Sequence, residues 1–205
     1  MTKTLKKQLK FWFFTLLTLA VSIADISLTY IGTPDLSNES NPLVVTAGLG
    51  WFALIASNAL IFLIMVVLYR QAFLKFDPVT IKCNGFKEYM SMLLFGRPDK
   101  FNWIWYKIPS NKVGQTYLFS GAGYMVAVLT ILRIRYVIEW IGVLTDSRWV
   151  YEYFEWLQHI GFTTAFGRFD VIIVSLMGAI GTLILWYYIQ YRLNKKALMI
   201  DKEEE

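Results

Sequence analysis

Few side chains in this sequence can do chemistry, and the foremost is Asp25. It lies inside an apolar run from Phe11 to Ile31, FWFFTLLTLAVSIADISLTYI, long enough to cross a bilayer as a helix. Thr15, Thr18, Ser22, Asp25 and Thr29 recur at steps of three and four, which puts all five on one helical face. A charge at the centre of a membrane helix costs at least ~2.5–3.5 kcal/mol, so this carboxylate is expected to face protein or water. There it can tie helices together, or bind a proton or cation.

Two arginines lie inside a later apolar run and are candidate partners. Counted from Phe11, Asp25 is about 21 Å along its helix; counted from Thr116, Arg133 is about 26 Å along its own. The difference is less than an arginine's reach. Asp25 with Arg133 is therefore the first pairing to expect, and Arg135 the second. The alternative is that both arginines extend to the outer headgroups and never meet Asp25.

A second group is Glu152, Glu155 and His159, on one side of a helix expected over 147–160, capped by Thr145 or Asp146 and stopped at Gly161. Two acids and the chain's only histidine invite a metal or acid–base reading. The spacing matches neither H-E-x-x-H nor a di-iron Glu-x-x-His pair, and a solvated face accounts for it better. Trp149, Val150, Tyr153, Phe154, Trp156, Leu157 and Ile160 form the other side, as in a helix lying in the outer interface. No G-x-S-x-G motif is present, and one intramembrane Asp lacks the second carboxylate of an aspartyl protease. Cys83 is the sole cysteine, so neither an intramolecular disulfide nor a C-x-x-C site can form. These residues point away from an enzyme and call for no cofactor and no metal.

The elements that must position these groups are membrane helices. Residues are 56% hydrophobic and only 17% charged, with a mean hydropathy of +0.46. Apolar blocks that are apolar all round, divided by short polar connections, predict an all-α polytopic bundle in a single domain, 1–205. Four transmembrane helices are expected, over about 11–31, 43–69, 116–138 and 169–191. The net charge of +5 comes from lysines and arginines flanking those blocks. That suits orientation in a membrane rather than nucleic acid. The connection 32–42 has no Lys or Arg, whereas the N-terminus, the 70–115 connection and Arg192, Lys195 and Lys196 are basic. The positive-inside rule then places both termini and 70–115 in the cytoplasm, with the protein integral to the cytoplasmic membrane. Interleaved Lys100, Trp103, Trp105, Tyr106 and Lys107 suit the headgroup layer. A basic start before an apolar run also fits a signal peptide cleaved near Ser22-Ile23-Ala24. The run continues to Ile31, so an uncleaved first span is expected.

Asp25-x-x-x-Thr29, followed by Glu39-x-Asn41-Pro42 opening the second helix, resembles a family of small, uncharacterised prokaryotic integral membrane proteins. The likeness covers about the first 70 residues. It implies membrane location and a shared polar cluster of Asp25, Thr29, Glu39 and Asn41, and no reaction. Asn41 can cap the second helix, with Pro42 at its first position. Asp25 could accept bonds from Thr29, from that helix's free N–H groups, or from Arg133.

Three functions remain. The first is a noncatalytic structural or assembly subunit whose partners are the bilayer and a homo-oligomer or another membrane protein. The second is a small transporter or ion-coupled protein centred on Asp25. The third is a lipid-modifying enzyme.

Overall fold

Backbone groups in an apolar solvent must bond within their own segment, so long apolar runs become helices. In order along the chain these are α1 (Lys3–Gly32), α2 (Gly50–Tyr69), α3 (Phe86–Phe95), α4 (Lys112–Leu144), α5 (Arg148–His159) and α6 (Phe169–Glu203). A two-residue antiparallel pairing, β1 (Thr163–Thr164) with β2 (Gly167–Arg168), precedes α6. The computed structural model describes residues 2–36, 48–98, 111–161, 163–164 and 167–203. Among them, three helices are long and apolar enough to cross a membrane: Lys3–Gly32, Gly50–Lys75 and Ile173–Met199.

Helix α1 is capped by Thr2, whose hydroxyl accepts from Leu5 N, and ends at Gly32, two residues before Pro34, which cannot continue it. Helix α2 does not end at Tyr69 as expected. It continues to Lys75 as a π-helical turn, Arg70–Lys75, so the polar connection begins at Phe76. Helix α4 lies in the middle, packed against α1, α2, α3, α5 and α6. Thr18 lies beside Thr130, and Asp25 beside Arg133, so α1 and α4 run in the same direction. Helix α2 runs against them, with Tyr69 at Thr18 and Trp51 against Tyr30. Helix α6 also opposes α4, since Gly178 lies against Leu132 and Trp186 contacts Tyr117. At Gly123 α4 comes close against α2: a Cβ there would stand 2.5 Å from the Leu68 carbonyl oxygen. Only glycine permits that approach.

The helices pack on two aromatic clusters, one of Phe11, Tyr69 and Phe73 with Val126 and Ala127, the other of Phe76, Tyr89, Tyr117, Trp186 and Tyr187. The outward faces stay apolar: Phe52, Leu63 and Val67 of α2 are exposed.

Two local expectations fail. The α5 cap is Ser147 rather than Thr145 or Asp146, and it makes no side-chain capping bond. Asp146 instead takes a left-handed conformation, φ 51°, that turns the chain from α4 into α5, and the Thr145 hydroxyl lies 2.8 Å from Ser147 Oγ. The broad apolar side of α5 is also divided. Val150 and Leu157 are buried against the bundle, while Trp149, Trp156 and Ile160 are exposed.

Candidate functional site

The polar stripe of α1 packs inward. Thr15, Thr18, Ser22 and Thr29 are all buried. Thr18 meets two hydroxyls from distant segments: Tyr69 Oη at 2.9 Å and Thr130 Oγ1 at 3.1 Å, with Tyr69 and Thr130 2.7 Å apart. Thr18 also reaches the Phe14 carbonyl at 2.8 Å. The Tyr69 hydroxyl also reaches the Val126 carbonyl at 3.4 Å, so three hydroxyl protons are shared among three mutual contacts and two carbonyls, and the triad can rearrange its donors but carries no charge. Tyr69 reaches the triad because it stands where α2 passes into the π-helical turn, held on the far side by stacking between Phe73 and Phe14. Such π-helical turns are frequent at functional sites.

One turn further along, Arg133 joins the stripe. Its Nη2 donates to Asp25 Oδ2 at 2.9 Å and its Nη1 to Ser22 Oγ at 3.5 Å. Counted from the observed helix starts, Asp25 and Arg133 stand about 33 and about 32 Å along their helices, nearly level. Their side chains are 30% and 26% exposed, so the pair lies at the rim of the seam rather than sealed within it. Chemically, the pair is neutral as a whole. It clamps α1 to α4 with a charge-assisted bond.

Of the partners open to the Asp25 carboxylate, Arg133 bonds it and Thr29 does not. The Thr29 hydroxyl donates to the Asp25 backbone carbonyl at 2.9 Å, the usual resting place for a threonine one turn on. Glu39 and Asn41, with the expected cap at Asn41 and Pro42, lie outside the described residues. Asn58 of α2 donates from its Nδ2 to Leu54 O in its own helix.

Arg135 belongs to a different group. Its Nε donates to Glu139 Oε1 at 2.7 Å, its Nη2 donates to the Tyr153 hydroxyl, and its guanidinium lies over the Tyr153 ring. Glu139 is buried, and a Cβ at Gly142 would strike the Val150 side chain, so α5 sits directly on α4 here. Glu152, Glu155 and His159 are exposed on the opposite side of α5, and Glu152 accepts from Arg148 Nε at 2.7 Å. Among the described residues, no group of three or more His, Cys, Asp or Glu side chains converges as metal ligands would.

Sequence reasoning missed the clamp at the opposite end. The extended chain after Phe76 is pinned by three helices. Lys7 Nζ donates to Phe76 O and Asp77 Oδ1, Val79 N donates to Tyr117 Oη, and Asn194 exchanges two bonds with the Ile81 backbone. Asn194 thus stands in for a neighbouring β-strand. Lysine hydrogen bonding, mainly from Lys7, holds the Asp77 carboxyl below its usual range. Thr130 could have been found, since it lies three residues before Arg133 on the same face. Nothing in the sequence singles out Tyr69 or Asn194.

No protein-family model matches the chain, and no curated protein or solved structure matches it.

Proposed function

We propose that this chain is a noncatalytic integral membrane protein, a structural or partner-binding subunit of the cytoplasmic membrane. In this reading it crosses the bilayer four times with both termini cytoplasmic. Helix α4 is the fourth span: at 33 residues it is about 50 Å long, and it lies among the three apolar helices. The basic N-terminus, the 76–98 segment and the C-terminal part of α6 gather at one end, as the positive-inside rule asks. Helix α5 lies in the outer interface with Trp149, Trp156 and Ile160 toward lipid.

The observation that carries the reading is the 2.9 Å bond from Arg133 to Asp25. A carboxylate held by its own arginine and a serine is built to join helices, and an arginine that neutralises it competes with any bound cation. Two experiments test the reading. Purified in mild detergent, the protein should run as a stable homo- or hetero-oligomer by light scattering; a monomer with no partner removes the assembly role. In a Cys83→Ser background, membrane-impermeant maleimide should label Asp35→Cys and Lys100→Cys from opposite sides; labelling from one side ends the four-span threading.

The partial exposure of the pair favours an ion- or proton-coupled transporter as the second reading. That reading requires Asp25→Asn to abolish a proton- or cation-driven flux in proteoliposomes.

A further inference from the structure

Near the C-terminal end of α6, Arg192, Lys195, Lys196, Leu193 and Met199 line an open groove of about 440 Å³. Arg192, Lys195, Lys196 and Met199 follow at steps of three, one and three, so they share one helical face. The three cations are exposed, and Leu193 and Met199 are each 51% exposed beside them. We infer that this groove docks the phosphate of an anionic phospholipid, its cations on the phosphodiester and Leu193, at the membrane end of the groove, on the glycerol and upper acyl chain. The inference rests on α6 crossing the membrane, as proposed above.

Two features select a lipid over other anions. The first is depth. Counted from Ile173, where the apolar stretch of α6 begins, Arg192 lies about 29 Å along and Met199 about 39 Å along. The hydrocarbon core is about 30 Å thick and the bilayer with both headgroup layers about 40–45 Å, so Arg192, Leu193, Lys195 and Lys196 fall at the edge of the core and within one headgroup layer of about 5–7 Å, with Met199 just beyond it. Tyr191, about 27 Å along on the same count, falls near the boundary where tyrosines gather. The second feature is the mixed lining. A free phosphate has no use for Leu193, whereas a phosphodiester carrying glycerol and acyl chains can cover it. Near an anionic surface each basic residue strengthens binding about fivefold, so three exceed what one adventitious contact supplies.

Native mass spectrometry of the full chain in detergent, titrated with dioleoylphosphatidylglycerol or dioleoylphosphatidylcholine, tests this. The wild type should retain phosphatidylglycerol at about tenfold lower concentration than phosphatidylcholine. In Arg192→Gln/Lys195→Gln/Lys196→Gln the two lipids should come within about twofold, with phosphatidylcholine adducts and helical content unchanged as evidence of folding. Arg192→Lys/Lys195→Arg/Lys196→Arg should keep the preference. Equal retention of both lipids by the wild type overturns the site. So does a preference that survives the triple glutamine change, or displacement of the lipid by millimolar glycerol 3-phosphate. The threading is read separately: in the Cys83→Ser background, Lys196→Cys and Lys6→Cys should be labelled from the same side of sealed vesicles. Labelling from opposite sides rejects the threading without altering the detergent result.

Discussion

Arg133 and Arg135 stand two residues apart on one helix and do different work. A step of two residues turns about 200° around a helix, so the two guanidiniums leave on opposite sides. Arg133 reaches across 108 residues of sequence to Asp25 and joins α1 to α4. Arg135 bonds Glu139 on its own helix and Tyr153 on the next, and so seats the short helix α5. Residue type and depth are almost the same. Helical phase alone decides which arginine organises the bundle and which fixes a peripheral helix.

The sharpest way to break this contrast is to remove each arginine in turn. Arg133→Met leaves Asp25 without its counter-ion and should cost about 3 kcal/mol in a detergent unfolding titration. Arg133→Met/Asp25→Leu should recover most of that loss, since no charge is then left unpaired. If the double change is as damaging as the single one, the ion pair is not what joins α1 to α4. Next in size is Tyr69→Phe, which removes the hydroxyl bridging Thr18 and Thr130; about 1–2 kcal/mol should be lost in the same assay.

On the Arg135 side the effect should be local. Tyr153→Phe should cost about 1 kcal/mol or less globally, yet raise amide hydrogen exchange across Arg148–His159. Equal exchange increases in α1 would erase the distinction between the two arginines. The smallest effect is expected for the exposed pair at the basic end, Lys7 with Asp77. Its carboxyl pKa is lower folded than unfolded, so its contribution is present above the ordinary aspartate value of about 3.9 and is lost as pH falls through the lowered value. An NMR titration should show the Asp77 midpoint rising toward the ordinary value in Lys7→Gln; an unmoved midpoint would remove Lys7 as the cause.

The α1 stripe was legible because helical spacing alone defines a face. Arg133 was legible as a partner because depth along a helix follows from residue number. The division of α5 into a buried seam and an exposed aromatic edge was not legible. Its apolar residues look alike in sequence, and only packing on α4 decides that Val150 is fully buried at Gly142 while Trp149, which meets the same glycine with its ring edge, stays exposed along with Trp156. Asn194 was hidden for a different reason: it sits among lysines and an arginine, and its amide acquires meaning only from the Ile81 backbone, 113 residues away.

By itself the sequence determined that the chain is helical and which segments avoid water, because an apolar run has no other way to satisfy its backbone in lipid. It also determined that the face of α1 bearing Asp25 is polar. Tertiary structure decided the rest: that Tyr69 and Thr130 close on Thr18, that Arg133 rather than Arg135 holds the carboxylate, and that α2 extends into a π-helical turn against Gly123. Those outcomes depend on the relative rotation and height of helices far apart in sequence, which residue spacing within any one helix does not encode.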